Sequence, residues 1–334
     1  MPHVLLIAEI GVNHNGSVER ALDMVDVAAE TGVHAVKFQS FKAEAAVSRF
    51  APKARYQEET TGRGESQLEM VRQLELTADE HAMLRARCSE RGVLYISSPF
   101  DSTSLDELVS LSPDMIKIAS GEITNLPFLR RVGAAGVPLL LSTGMSTLDE
   151  VRIALSVLVD AGTPLVNIVV MQCTTQYPAP VEDANLKAMV TMRQALGVRV
   201  GYSDHTLGFE AAIAAVALGA EVVERHFTLD QQLPGPDHAA SVDPDGLRLL
   251  VEAVRSTESA LGDGVKRPAP SERENIPIAR KSIVAARSIS AGEPLTKENL
   301  TVKRPGDGIS PMQWDAVLRT TAGRDFEPDE EIEL

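Results

Sequence analysis

Histidine, hydroxyl and acidic residues alternate at the ends of two apolar runs in the second half of the chain. Ser203 and His205 are two residues apart, and so are Glu224 and His226. Side chains spaced by two share one face of a β-strand, and neighbouring strands lie about 5 Å apart. If the two runs form adjacent strands, both imidazoles can bind one cation; the alternative is that each is a hydrogen-bonded residue at the rim of a sheet. The two cysteines of the chain do not have the spacing of metal ligands. Two histidines alone would leave coordination positions open to oxygen ligands, which suits Mn²⁺, with Mg²⁺ or Co²⁺ as alternatives and Zn²⁺ still open.

Two lysines, Lys37 and Lys117, stand inside otherwise apolar runs. A buried ammonium group is costly unless an anion meets it. That anion is either a carboxylate of the chain, such as Glu9, Glu122 or Glu224, or the phosphate or carboxylate of a ligand. A lysine that forms a Schiff base, as in barrel aldolases, is a third interpretation. Hydroxyl groups that would help to hold an anion follow nearby runs, at Ser120, Ser142 and Thr143.

Eight short runs rich in Val, Ile and Leu carry these residues, and stretches with helical spacing separate them. The runs are 3–11, 35–41, 93–100, 115–120, 138–144, 167–173, 199–205 and 220–227. Apolar strands that alternate with helices predict parallel βαβ units. Eight such units predict a closed (β/α)₈ TIM barrel, whose active site lies at the carboxyl ends of its strands. An open doubly wound sheet is the alternative, but no Gly-rich dinucleotide fingerprint follows the first run.

Three stretches depart from this alternation. The connection 42–77 is long for a compact domain, and long loops of this kind are usually functional, so we interpret it as a partial lid over the catalytic face. A proline-containing stretch of mixed charge predicts a linker at 263–281. Residues 282–334 carry short strands, tight turns and one brief helix, which predicts a small β-rich domain. The barrel domain would then span 1–262.

Composition and charge exclude several classes of protein. The chain has 334 residues, 32 basic against 47 acidic side chains, and a net charge of −15. A nucleic-acid or anionic-membrane surface needs a basic face, so we expect neither partner. Two distant cysteines argue against a disulfide-stapled secreted scaffold, and no apolar run approaches the ~20 residues of a spanning helix. We therefore expect a cytoplasmic protein.

Segments along the whole chain resemble the sialic acid synthase family, of the N-acetylneuraminate or legionaminate synthase type. The segments are AEIGVNHNGS, AVKFQS, ISSPFD, IKIASGE, LSTGMS, QCTTQYPAP, GYSDHTLG, ERHFTLD, PGPDHAAS and AGEPLTKENLTVKRPGDGISP. The resemblance implies a (β/α)₈ barrel followed by a SAF domain similar to type III antifreeze protein, and a domain-swapped homodimer. It also implies condensation of phosphoenolpyruvate with an N-acetylated amino sugar in its aldehyde form, giving a nine-carbon 2-keto acid and phosphate.

The same resemblance implies roles for individual residues. It implies that Mn²⁺ is held by His205 and His226. It implies a phosphoenolpyruvate site made of Lys37, Lys117, Ser120, Ser142, Thr175, Tyr177 and Ser203. It implies a sugar site made of Gln39, Glu224, Asp237 and, from the other subunit, Arg304. Catalytic groups would be Glu9, Glu122 and Lys117.

The sequence leaves the sugar and two other classes of function open. Some sialate synthases carry Asn where Thr175 stands, and the SVDPDG and GISPMQW segments resemble the legionaminate branch as much as the sialate branch. The candidate sugars are N-acetylmannosamine, its 6-phosphate and a 2,4-diacetamido-6-deoxy hexose. The other classes are a keto-sugar-acid aldolase or lyase that runs the cleavage direction, and a non-catalytic glycan-binding protein.

Overall fold

Eight parallel strands close into a barrel in the order in which they follow along the chain. The computed structural model describes residues 3–62 and 64–334. The strands are β1 (Leu5–Gly11), β2 (Ala35–Ser40), β3 (Leu94–Pro99), β4 (Met115–Ile118), β5 (Leu139–Ser142), β6 (Ile168–Cys173), β7 (Arg199–Asp204) and β8 (Val222–His226). Each lies within one of the eight predicted runs, and β1 closes the ring against β8. The predicted (β/α)₈ barrel is confirmed.

Helices connect successive strands and cover the outside of the barrel. The connecting helices are α1 (Val18–Glu30), α5 (Ala78–Arg91), α6 (Ser102–Ser110), α7 (Leu126–Gly133), α8 (Leu148–Asp160), α9 (Leu186–Leu196), α10 (Glu210–Ala217) and α11 (Pro244–Leu261). Several begin at a residue whose side-chain oxygen accepts a hydrogen bond from the first turn, as at Ser17, Thr77 and Asp101. Such caps satisfy amide groups that a helix leaves free at its start.

The long connection between β2 and α5 contains three further short helices. They are α2 (Ala43–Ala46), α3 (Arg55–Thr61) and α4 (Gln67–Arg72). Four to seven residues are too few to be stable as isolated helices, so these depend on their packing. Val71 packs against a small apolar cluster of Val12, Phe41 and Leu74 beside the barrel mouth. The connection is thus more structured than the sequence indicated.

Two apolar layers hold the barrel together. The larger lies between the strands and the surrounding helices and includes residues such as Leu6, Val36 and Leu141. The smaller fills the lower interior of the barrel, with Ile7, Ile96, Leu140, Val169 and Val222 among its members. Because these side chains fill the amino end of the barrel, only the carboxyl ends of the strands are left to line a cavity.

The chain divides into two compact units, Met1–Gly262 and Asp263–Leu334. The second contains α12 (Asn275–Ala279), the antiparallel strands β9 (Ser282–Ala285) and β10 (Leu300–Lys303), and α13 (Trp314–Val317). It has its own core around Ile283, Leu295 and Phe326. Among the residues that the structure describes, no helix combines the length and the apolarity needed to cross a membrane.

Candidate active site

Strand register brings three charged or ligating residues into one row at the barrel mouth. Glu9 on β1 is level with Lys37 on β2 and with His226 on β8. Lys37 Nζ forms an ion pair with Glu9 Oε2, and both side chains are almost fully buried. Burial lowers the pKa of Lys37 to about 7, with Lys117 acting in the same direction and Glu224 opposing it. A bound anion would restore the ammonium form.

Glu224, one step lower on β8, joins two lysines. Its Oε1 accepts hydrogen bonds from Lys117 Nζ at 2.6 Å and Ser203 Oγ at 2.8 Å, and its Oε2 lies 3.9 Å from Lys37 Nζ. Burial would raise the pKa of Glu224, but the ammonium groups of Lys117 and Lys37 outweigh burial and hold that pKa below its ordinary value. We call Glu9, Lys37, Lys117, Ser203 and Glu224 the floor. The lysines of the floor thus lie within reach of carboxylates of the chain.

The two histidines meet beside the floor with their ring centroids 5.4 Å apart. His205 Nδ1 donates a hydrogen bond to the backbone oxygen of Thr174 at 2.7 Å, so Nε2 carries the lone pair. Ser203 Oγ, 3.4 Å from that Nε2, already donates its hydrogen to Glu224. Burial lowers the pKa of His205 to about 4 and that of His226 well below its ordinary value, so both rings are neutral at pH 7.

Neutral imidazoles with free lone pairs fit a divalent metal ion. His226 Nδ1 is buried and has no hydrogen-bond partner; the nearest acidic oxygen, Asp237 Oδ2, is 3.9 Å away. The described residues contain no cluster of three or more His, Cys, Asp or Glu side chains arranged to hold a metal. Two protein ligands with open positions are the donor set that these residues offer.

A cavity of about 370 Å³ lies above the floor and the histidines. The predicted site residues that line it are Glu9, Lys37, Gln39, Lys117, Ser120, Ser142, Thr175, Tyr177, Ser203, His205, Glu224, His226 and Asp237. Tyr177 stacks on His205 with ring centroids 4.2 Å apart, and burial raises its pKa well above the ordinary value.

The hydroxyl side of the cavity depends on a glycine. The backbone amide of Gly144 donates to Ser120 Oγ at 3.0 Å. A Cβ atom at this position would overlap Thr175 Oγ1 and lie 2.9 Å from Ser120 Oγ. Ser120 Oγ also contacts Cys173 Sγ at 3.2 Å. Glycine therefore lets the backbone approach these hydroxyls closely enough for one compact group of donors.

The segment after β8 reaches over the histidines and carries Asp237. The Ser241 hydroxyl donates to the Asp237 backbone oxygen at 2.7 Å, and Asn13 Nδ2 donates to Ser241 Oγ at 2.8 Å. Burial raises the pKa of the Asp237 carboxyl to about 6, with Lys37 opposing the shift. The loops after β1 and β8 together place this carboxyl in the cavity wall.

Glu122 and Arg304 are two further predicted site residues. Glu122 is half-buried in a short 3₁₀ turn after β4 and is not among the side chains that line the cavity; its carboxylate accepts a 2.7 Å hydrogen bond from Asn125. Burial raises the pKa of Glu122. Arg304 follows β10 in the second unit and is exposed.

The sequence predicted that the 42–77 connection covers part of the catalytic face, but it named none of the side chains that line the cavity from there. Val47, Tyr56, Met70, Val71 and Leu74 are among them, and the Tyr56 ring lies 5.2 Å from that of Tyr177. The helical spacing of Met70, Val71 and Leu74 within an otherwise polar stretch is the signal that could have found part of this set.

A closed barrel with buried lysines, carboxylates and paired histidines at the carboxyl ends of its strands has the architecture of a (β/α)₈ barrel enzyme. A family model described as the NeuB family matches residues 24–266, and a SAF domain model matches residues 280–332. The chain therefore belongs to the NeuB family and ends in a SAF domain, which confirms the resemblance to sialic acid synthases.

Relatives and solved structures agree with this assignment. The N,N'-diacetyllegionaminic acid synthase of Campylobacter jejuni is 46% identical over 332 residues, which are 99% of each chain. The enzyme of that name from Legionella pneumophila is 43% identical over 94% of this chain and 88% of its own. The crystal structure of the N-acetylneuraminic acid synthetase from Leptospira borgpetersenii, in complex with citrate, matches with a TM-score of 0.72 and 32% identity over 82% of this chain and 90% of that one.

Proposed function

We propose that this protein is a nonulosonic acid synthase that condenses phosphoenolpyruvate with a 2-acetamido sugar aldehyde. The observation that carries the proposal is the pair of buried ammonium groups, Lys37 and Lys117, at the floor of a cavity that also presents neutral histidines. Each lysine is only 3% exposed. Such groups suit a small ligand with more than one anionic group, and phosphoenolpyruvate has a phosphate and a carboxylate.

When phosphoenolpyruvate binds, the two lysines of the floor change their ion-pair partners. Its anionic groups take over Lys37 and Lys117, which the carboxylates of Glu9 and Glu224 otherwise hold. Hydroxyl groups complete the cradle with short charge-assisted hydrogen bonds. These hydroxyls belong to Ser120, Ser142, Ser203, Thr175 and Tyr177. Because all of them are fixed by strand ends, orientation supplies a large part of the rate enhancement.

A metal ion belongs to the proposal because the donor atoms are present. His205 and His226 would hold Mn²⁺, with Mg²⁺ or Co²⁺ as alternatives. When bound, the ion supplies a Lewis acid that polarises the aldehyde oxygen of the sugar. Gln39, Glu224 and Asp237 line the same part of the cavity and would accept or donate hydrogen bonds to the sugar hydroxyl and acetamido groups.

The chemistry forms one carbon–carbon bond and replaces the C2–O bond to phosphate by a C2–O bond to water. C3 of phosphoenolpyruvate adds to the aldehyde carbon, and the aldehyde oxygen takes up a proton and becomes a hydroxyl. Positive charge develops at C2, where water adds and loses one proton. The C2–O bond to phosphate then breaks, and the C2 hydroxyl gives its remaining proton to the departing phosphate as the 2-keto group forms. Glu9, in contact with Lys37, would move a proton near the reacting carbons. Glu122, with its raised pKa, is the second candidate.

The sugar we favour is a 2,4-diacetamido-6-deoxy hexose, and N-acetylmannosamine is the alternative. Two relatives at 43–46% identity carry the name of N,N'-diacetyllegionaminic acid synthases. We also propose a cytoplasmic location, since both substrates are small metabolites.

Release of inorganic phosphate tests the proposal. We expect phosphate and a nine-carbon acid when phosphoenolpyruvate, Mn²⁺ and a panel of amino sugars are mixed with the enzyme. Lys117→Met should abolish release, whereas Lys266→Met, at an exposed position, should not. A lyase would instead give pyruvate from a keto sugar acid, and a glycan-binding protein would give no product; either result contradicts the proposal.

We further propose a domain-swapped homodimer in which the partner subunit's Arg304 binds the acetamido end of the sugar. The exposure of Arg304 after β10 supports this. Arg304→Ala should raise the KM for sugar at least tenfold with little change for phosphoenolpyruvate. Mixed dimers that pair Arg304→Ala with His205→Ala should regain one working site. Lack of any rescue contradicts the exchange.

A further inference from the structure

One side of the cavity is lined mainly by apolar side chains. Val47, Tyr56, Met70, Val71 and Leu74, which we call the distal wall, all come from the β2–α5 connection and line the cavity, and Gln57 and Gln67 of the same connection line it beside them. Val71 and Leu74 pack with Val12, Phe41 and Phe100, which also line the cavity. The distal wall is therefore a supported apolar surface.

The distal wall lacks the basic side chains that the floor has. Within the residues that the structure describes, Lys37 and Lys117 are the lysine or arginine side chains that line the cavity, and both belong to the floor. Two basic side chains of the connection pair with carboxylates: Lys53 with Glu65 at 3.1 Å, and Arg72 with Glu44 at 2.6 Å. A phosphate group placed at the wall would meet no lysine or arginine among the described side chains that line this part of the cavity, and would lose water for apolar contacts.

The direction in which the sugar lies follows from the proposed function, on which this inference rests. Its aldehyde carbon must reach the floor and the histidines, where the phosphoenolpyruvate carbon is held. The opposite end of an open-chain hexose, C6, then extends away from the floor toward the connection. The C6 substituent is the group that contacts the distal wall.

We propose that Val47 and Val71 are specificity-determining residues that select a sugar whose C6 is a methyl group over one with a hydroxymethyl or phosphate at that end. A methyl group gains from burial against Val47 and Val71. Neither valine can replace the hydrogen bonds to water that a hydroxyl in the same place loses. An apolar pocket discriminates against an added hydroxyl by roughly tenfold to 100-fold.

Two aldehydes that differ by one oxygen atom test the inference: N-acetylmannosamine and its 6-deoxy analogue, each with phosphoenolpyruvate and Mn²⁺. We expect kcat/KM to be at least about tenfold higher for the 6-deoxy sugar, and N-acetylmannosamine 6-phosphate to be the poorest of the three.

Val71→Thr and Val47→Thr keep side-chain shape but add a hydroxyl. Each should reduce the preference to about threefold or less through a higher kcat/KM for N-acetylmannosamine. Val166→Thr, at an exposed position (68% exposed) away from the cavity, should retain the wild-type preference.

The outcomes separate this inference from the proposed function. Phosphate release with equal kcat/KM for both sugars, or efficient use of the 6-phosphate, overturns the selection by the wall and leaves the synthase proposal intact. A preference that survives in both threonine variants overturns the assignment to Val47 and Val71. If no aldehyde gives phosphate, the synthase proposal fails. Calorimetric binding of the two sugar alcohols, which lack the reactive carbonyl, to the enzyme with phosphoenolpyruvate then still decides whether the wall prefers a methyl end.

Discussion

The floor and the distal wall line one cavity, but they are built in opposite ways. Each floor residue belongs to a barrel strand, so its position is set by hydrogen-bonded register with both neighbouring strands. The wall residues lie in or beside α2, α3 and α4, which have four to seven residues each and are stable only through packing. The charged residues therefore lie on the rigid strands of the barrel, and the apolar residues lie in the β2–α5 connection, which can vary.

This difference separates the reaction from the choice of sugar. Buried ion pairs tolerate little displacement, because a charge without its partner is destabilising in the interior. An apolar wall on a surface connection can change its side chains without changing the register of the barrel. We therefore expect substitutions in the floor to act on the chemical step and on stability, and substitutions in the wall to act mainly on the sugar.

The largest effect is expected at the centre of the floor. Glu224→Gln removes the carboxylate that Lys117 and Lys37 share. Lys37 keeps its ion pair with Glu9, but the buried ammonium group of Lys117 loses its carboxylate. We expect the free energy of unfolding to fall by about 3–5 kcal/mol and kcat to fall at least about 1,000-fold, as measured by urea denaturation and phosphate release. Glu221→Gln is the matched control, because its pair with Arg199 is exposed (47% and 42%) and exposed pairs contribute about 0–1 kcal/mol. Equal losses in both variants would show that burial of the pair is not what matters.

A smaller effect is expected where the floor meets the hydroxyl cradle. Gly144→Ala places a methyl group against Thr175 Oγ1 and Ser120 Oγ, so both hydroxyls must move. We expect the KM for phosphoenolpyruvate to rise about tenfold to 100-fold, the size of effect that small displacements of positioning groups produce, with the sugar KM changed much less. Gly323→Ala adds the same methyl group at a site with no heavy atom within 4 Å and should behave as wild type. A normal KM in Gly144→Ala would remove Ser120 and Thr175 from the phosphoenolpyruvate site.

The charge of Lys37 gives the floor a pH dependence that the apolar wall lacks. Its pKa in the free enzyme is lowered to about 7 by burial, and a bound anion raises it. The charged form therefore predominates below pH 7, and affinity for phosphoenolpyruvate falls as pH rises above 7, by up to about tenfold per unit. The phosphate group itself titrates near pH 6, below this window. Calorimetric titration between pH 7 and 9 checks the slope, and Lys37→Arg, which stays charged, should flatten it. An unchanged slope in Lys37→Arg assigns the titration to another group.

The site residues that lie on strands were predictable because a buried parallel strand leaves few positions for a polar side chain. Buried parallel strands need apolar runs, and a polar residue within such a run must face the barrel mouth or a partner. The same two-residue spacing predicted that His205 and His226 would meet at about the distance between strands, and their ring centroids are 5.4 Å apart. The positions of Glu9, Lys37 and Glu224 in the cavity follow from the same pattern.

The ion-pair partners within the floor and the residues of the distal wall were not predictable from the spacing of residues in the sequence. Three carboxylates were candidates for the partner of Lys37, and the register that sets Glu9 beside it depends on both strands at once. Glu122 differs from Glu224 only in that its strand ends earlier, which leaves it in a turn outside the cavity lining. Tyr56 and Val71 are separated by a polar stretch and reach the cavity through the packing of short helices. The spacing of Met70, Val71 and Leu74 covers one such helix and extends to neither Tyr56 nor Val47.

The smallest effect, and the one that best separates the two regions, is expected at the contact between the wall and Tyr177. The Tyr56 and Tyr177 rings lie 5.2 Å apart, and such aromatic pairs contribute about 0.5–1.5 kcal/mol beyond their buried area. Because Tyr56 itself lines the wall that the sugar contacts, Tyr56→Leu should raise the KM for the sugar about threefold to tenfold. The KM for phosphoenolpyruvate should rise less, by about twofold to threefold, through the lost support of Tyr177. Tyr56→Phe keeps the ring and should stay close to wild type in both constants. Steady-state kinetics with each substrate varied in turn measures both. If Tyr56→Leu raises the phosphoenolpyruvate KM as much as the sugar KM, the wall and the floor act as one unit, and the separation of reaction from sugar choice does not hold.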